Sequence, residues 1–220
     1  MVWQKMKRPQ VIFLDAVGTL FGIRGSVGQI YNEIARQFGV RAIPEQLNRA
    51  FFQAFSSAGS LAFPDAKPEE IARCEFEWWK AIASHAFQEV DLRHRFSDFD
   101  AFFEALYAHF ATAKPWFVYG DVRRNLEKWE QRRIALGVVS NFDSRIYSVL
   151  SALDLERFFT SITISSAVGF AKPHPQIFHA ALLKHDCNPQ AAWHIGDSDR
   201  EDYQGAKNVC IRPFLVKRNF

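Results

Sequence analysis

Cysteine is scarce in this chain: Cys74, Cys187 and Cys210 are the three, and they are scattered. An odd number without metal-ligand spacing argues against a disulfide framework and suits free thiols in a reducing cytoplasm. The histidines also lack ligand spacing. His179 and His185 lie six residues apart and would not share a helix face, so no zinc site is expected. No run of eighteen apolar residues occurs, and MVWQKMKRPQ leads straight into an apolar segment, so neither a membrane span nor a signal peptide is expected. Charge is nearly balanced at +3, which gives no ground for nucleic-acid binding. Lys5, Lys7, Arg8, Lys217 and Arg218 read as solvated terminal charges. Repeats, low-complexity tracts and heptads are absent as well. A small-molecule partner is the reading left.

What is present is a set of short apolar runs that each end in a polar residue. Val11 to Leu14 is too short for a helix, suits a strand buried on both faces, and ends at Asp15; Gly18 then allows a sharp turn. Ile134 to Val139 ends at Ser140 and Asn141, and Ala192 to Ile195 ends at Gly196 and Asp197. Helical stripes lie between them, such as Ile146, Val149, Leu150 and Leu153, or Ile177, Phe178, Ala181 and Leu182. This alternation predicts an α/β fold, a Rossmann-like parallel sheet with helices on both faces, whose ligands bind beyond the carboxyl ends of the strands.

Asp15-x-x-Gly18-Thr19, Ser140, Lys172-Pro173 and Gly196-Asp197-Ser198 with Asp202 resemble, in order and spacing, the four motifs of the haloacid dehalogenase-like hydrolases. Trp78-Trp79, Ser140-Asn141-Phe142-Asp143 and Asp202-Tyr203-Gln204-Gly205 are similar to the rhythmically-expressed-gene subgroup of that superfamily. From Asp15 to Ser140 is 125 residues, against 32 from Ser140 to Lys172 and 25 from Lys172 to Asp197. A strand–helix–strand unit needs only about 30, so a second unit is inserted after the first strand. Residues 1–20 and 118–220 are expected to form the core domain, and 21–117 the insert. Its pattern is helical: Leu47, Phe51, Ala54, Phe55 and Ala58 after Pro44; Ala72, Phe76, Trp79, Ala83 and Ala86; then Phe99, Phe102, Phe103, Leu106 and Phe110, with Ser97 as N-cap. The resemblance implies a C1-type helical cap over the site, and the burial preference of aromatics assigns these rings to the cap's core.

Asp15 is the expected nucleophile, attacking a phosphate ester to give an aspartyl phosphate. A dianion repels a carboxylate, so a magnesium ion is expected, held by Asp15, Asp197 and Asp202 and by the backbone carbonyl of Val17. Lys172 is expected to act in catalysis and, with Thr19, Ser140 and Asn141, in substrate binding. Val17 is the anomaly. The resemblance places there an Asp that protonates the leaving alcohol, and valine has no proton to give. Three readings stay open: a phosphatase-type hydrolase, weak or narrow in substrate; chemistry like that of the 2-haloacid dehalogenases, or of phosphonoacetaldehyde hydrolases if Lys67, Lys80 or Lys114 forms a Schiff base; and a non-catalytic phosphate binder.

Overall fold

The structure, a computed structural model, describes residues 8–218, so Lys5 and Lys7 lie outside the described residues. Strands run in chain order as β1 (Val11–Leu14), β2 (Phe21–Ile23), β3 (Trp116–Val118), β4 (Ala135–Ser140), β5 (Ser161–Ile164), β6 (Ala192–Gly196) and β7 (Arg212–Leu215). Five of them form one sheet in the order β5-β4-β1-β6-β7, with every neighbouring pair parallel. All four residues of β1 are buried. Ile12 and Leu14 enter one apolar cluster with Val138, Ile146 and Val149, while Val11 and Phe13 enter another with Ile177, Phe178 and Ala181. Alternate side chains therefore feed opposite layers, as a two-fold strand period demands. The fold is α/β with a Rossmann-like sheet. Because β4 and β6 flank β1 on opposite sides, a crevice opens above the ends of these three strands.

Between β2 and β3 the chain forms a helical layer of α1 (Val27–Gln37), α2 (Pro44–Ser57), α3 (Ile71–Glu89) and α4 (Phe99–His109). Local signals start these helices. Ser26 and Gln29 close a capping box on α1, and Pro44 occupies the first turn of α2, where its missing N–H costs nothing. The expected cap at Ser97 is corrected by one residue: the Asp98 carboxylate accepts from the Ala101 amide at 2.9 Å, because it immediately precedes the first helical residue. Leu47, Ile82, Phe87, Phe102 and Leu106 fill the interior of the layer, and Phe87 meets Phe102 edge-on at 5.2 Å. Such ring pairs each add about 0.5–1.5 kcal/mol beyond their burial. Not every aromatic of the stripes is interior. Phe55 is 42 % exposed and Trp79 is half-buried, so the expectation that all these rings make the cap core holds for Phe99, Phe102 and Phe103 but not for them.

The remaining helices cover the sheet: α5 (Val122–Gln131) and α6 (Arg145–Ala152) on one face, the short α7 (Ser165–Val168) after β5, and α8 (Pro175–Leu183) and α9 (Gly205–Asn208) on the other face. The helical layer is tethered by an antiparallel ribbon, with Phe21 opposite Val118 and Ile23 opposite Trp116. Arg218 is not a free surface charge. Its guanidinium donates to Asp121 and to the Thr19 carbonyl, and lies 4.1 Å over the Tyr119 ring. No helix among the described residues is long and apolar enough to cross a membrane.

Candidate active site

Three strand ends and one loop deliver the charged cluster. β1 delivers Asp15, β4 ends in Ser140, β6 leads into Asp197, and the loop between α7 and α8 carries Lys172. Asp15 Oδ1 accepts from the Ser140 hydroxyl at 2.9 Å and from the Lys172 ammonium at 2.6 Å. Among the described residues Oδ2 accepts no hydrogen bond and remains the open oxygen of the pair. Asp15, Asp197 and Asp202 each offer an oxygen, all within 4.8 Å of one another. The five polar residues named from four distant segments are thus brought to one place.

Lys172 is 4 % exposed and bridges two carboxylates, Asp15 at 2.6 Å and Asp202 at 2.5 Å. Burial would strip its proton, but the two anions overcome that and hold it firmly protonated. Burial would likewise raise Asp202; Lys172 and the His194 ring N–H outweigh it and hold that carboxyl well below the usual range. Asp15 goes the other way. It is buried, Asp202 repels it, and the pull of Lys172 does not fully compensate, so its pKa is raised. Asp197 faces the mouth of the site and is raised as well, first by partial loss of water and then by Asp15 and Asp202. Anions that raise one another in this way, with oxygen donors alone, form a donor set that suits a hard divalent cation. Gly18 is required here: at φ +85° a Cβ would fall 2.3 Å from Asp197 Oδ2.

The structure also separates groups that the sequence treats alike. Asp202 is the most heavily hydrogen-bonded of the three acids, accepting at Oδ1 from Lys172 and His194 and at Oδ2 from the Ser198 amide. No hydrogen bond reaches the Val17 carbonyl among the described residues. The Asn141 side chain is turned onto the backbone of Lys172, accepting from its amide at 2.7 Å and donating to its carbonyl at 3.0 Å. Thr19 is buried and makes a long 3.4 Å bond to Asp197. Thr19 is held against Asp197, whereas Asn141 positions Lys172 and also lines the cavity. His194 and Glu201 went unnamed in the sequence reading. His194 sits on β6 two residues before Gly196, inside the strand that delivers Asp197, and that register was its one signal.

A cavity of about 490 Å³ lies between this cluster and the helical layer, bounded below by Val17, Asn141, Lys172 and Glu201. Trp78, Trp79, Tyr107 and Trp116 line it; Arg24 does not, because its Nε donates to the Trp116 carbonyl. Lys172 is the lysine that lines the cavity, and Lys67, Lys80 and Lys114 do not reach it. Across the seam, helix α3 grips the loop after β4. The Trp79 indole donates to buried Asp143 at 2.7 Å, and Glu75 accepts from both the Ser144 amide and hydroxyl. Arg145 chelates the same Asp143 with two nitrogens and stacks 3.9 Å over Tyr107.

A parallel sheet with a nucleophile-ready carboxylate at its carboxyl edge, under a helical layer, defines a hydrolase architecture. The chain belongs to the haloacid dehalogenase-like hydrolase family, whose pattern matches residues 9–209. It is 33 % identical to haloacid dehalogenase-like hydrolase domain-containing protein 3 of Bos taurus, over 92 % of this chain and 79 % of that protein. It is 26 % identical to the rhythmically expressed gene 2 protein of Drosophila melanogaster, over 97 % of this chain and 85 % of that one, which bears out the subgroup resemblance. A putative beta-phosphoglucomutase from Thermotoga maritima superposes with a TM-score of 0.71 at 18 % identity, covering 96 % of this chain and 87 % of that chain; this supports the fold.

Proposed function

We propose that this chain is a magnesium-dependent, phosphatase-type hydrolase that acts through a phosphorylated Asp15 on small phosphate esters whose leaving groups need no proton. One observation carries the reading: the open Asp15 oxygen stands beside Val17, a position with no acid. Residues 1–20 and 118–220 form the catalytic unit in this reading, and 21–117 its helical cap.

In the first step Asp15 Oδ2 bonds to phosphorus. The ester P–O bond breaks, and the leaving oxygen departs with the electron pair and takes its proton from water. In the second step a water oxygen bonds to phosphorus, the Asp15–phosphorus bond breaks, and Asp15 returns as a carboxylate with inorganic phosphate. Ser140, the backbone amides after it and Lys172 hold the non-bridging oxygens. Asp15, Asp197 and the Val17 carbonyl would hold magnesium, with Asp202 reached through water; when bound, the ion supplies the charge that lets an anionic phosphate approach Asp15. Lys172 keeps Oδ1 oriented and leaves Oδ2 toward the substrate. Without an acid, alkyl leaving groups lose about a hundred- to ten-thousand-fold in rate.

Rapid-quench mass spectrometry tests this. Phosphorylated Asp15 should accumulate during turnover of low-pKa phosphates, and fast turnover of sugar phosphates with no trapped intermediate overturns the reading. The apolar Val17 also favours a second reading, displacement of halide, which leaves without protonation; the carboxylate of Asp197 stands against it. Chloride release from 2-chloropropionate in EDTA would establish that chemistry instead. The absence of a cap lysine from the cavity argues against a Schiff base. Magnesium-dependent thermal stabilisation without turnover on a broad phosphate panel would mark a binding protein.

A further inference from the structure

Above Asp15 the cavity is walled by rings, not by charge. Phe55 lies nearly parallel to Trp79 at 5.9 Å and 25°, and Phe51 nearly parallel to Phe55 at 5.8 Å and 21°. The cations lining the cavity are already committed. Arg145 is chelated by Asp143, and Lys172 is bridged between Asp15 and Asp202. A second phosphate on the substrate would find no free positive charge among the described lining residues. A polyhydroxylated body fares little better. Asn141 is engaged with Lys172, Glu201 accepts from Asn141, and the neutral polar groups left are few, chiefly the hydroxyls of Ser60, Tyr31 and Tyr107. Each hydroxyl left without a partner weakens binding by roughly tenfold. Flat apolar surface, by contrast, gains from every ring it meets. Val17, 36 % exposed at the floor, stands where an acid would meet the leaving oxygen. A phenolic oxygen leaves as a stabilised anion and needs no acid there.

We propose that the substrate is a phosphate monoester of a phenol, whose ring packs against Phe55 and Trp79 while its phosphate lies at Asp15. This rests on the hydrolase reading above and adds the chemical body of the substrate to it.

The test uses the full chain with magnesium and compares kcat/KM for 4-nitrophenyl phosphate, acetyl phosphate and glucose 6-phosphate. Acetyl phosphate has a good leaving group and no ring, so it separates leaving-group chemistry from ring recognition. The aryl ester should exceed acetyl phosphate by about tenfold or more. Phe55→Ala removes a ring that is 42 % exposed and stacked on Phe51 and Trp79. It should lower the aryl rate at least about fivefold more than the acetyl rate. Equal rates on the two esters, with equal losses in the variant, overturn ring recognition and leave the hydrolase reading standing. A second measurement is independent of turnover: calorimetric binding of phenylphosphonate and methylphosphonate to Asp15→Asn. Tighter phenylphosphonate binding by about tenfold upholds the ring site, and if the wild-type chain then turns over no phosphate, the hydrolase reading alone falls. Equal affinities overturn the proposal.

Discussion

The two walls of the cavity are built on opposite physical grounds. On the sheet side, Asp15, Asp197, Glu201 and Asp202 gather around Lys172, which bridges Asp15 and Asp202. On the helical side, rings meet rings, and the guanidinium at the seam, Arg145 of α6, is paired with Asp143. The first wall fixes atoms to within a hydrogen bond, because misplaced charge in a low-dielectric site is costly. The second wall tolerates different shapes, because apolar contact has little direction. In the proposed reading, the sheet sets the reaction type and the helices the choice of substrate.

The sharpest way to break this contrast is to remove the sheet wall's one cation. Lys172→Met leaves Asp15 and Asp202 buried without a counterion, and stability should fall by about 3–5 kcal/mol, read by denaturant unfolding. Turnover should disappear in the same variant. Substitution of Val17 by aspartate, V17D, moves an acid onto the boundary between the walls. Activity on alkyl phosphates should rise about a hundredfold, and no rise with metal still bound would show that the missing proton is not what limits the enzyme. The seam between the walls is tested by Trp79→Phe. It keeps a ring but strips the indole donor from buried Asp143, which should cost about 1–3 kcal/mol by thermal unfolding.

The smallest effect concerns Glu75. Burial raises this carboxyl, and its bonds from the Ser144 amide and hydroxyl only partly offset that. A carboxyl whose folded pKa lies above its unfolded value contributes a cost that grows as pH rises through the interval between the two. Glu75→Gln keeps an oxygen for Ser144 and removes the ionisation. The variant should melt higher than wild type at pH 7, and the gap should close as pH falls toward about 4, where the wild-type carboxyl is protonated in both states.

The sheet wall was largely legible in the sequence because parallel strands place their last residues at one edge. Asp15, Ser140 and Asp197 are each read from the end of an apolar run, and Lys172 from the resemblance of Lys172-Pro173 to a family motif. What those side chains do to one another was not legible. Asn141 and Thr19 read as substrate groups, yet Asn141 is turned onto Lys172 and Thr19 onto Asp197, since either choice fits the same backbone position. The helical wall was legible as helices and little more. Periodicity places Phe55 and Phe102 on similar stripes, yet one faces a cavity and the other is fully enclosed, a difference decided by which helix lies opposite. Trp79, Asp143 and Arg145 are 64 and 2 residues apart in sequence, and no local pattern announces that they share one carboxylate.

The antiparallel ribbon carries a consequence for how such a chain diversifies. Ile23 and Trp116 are register partners, so the polypeptide departs from the sheet-bearing part and rejoins it at adjacent points. Everything between those two residues is a detour whose length and content are invisible to the hydrogen-bond ladder of the five strands. Such a graft point lets selection exchange the whole lid as a cassette while the catalytic edge beneath it keeps its geometry.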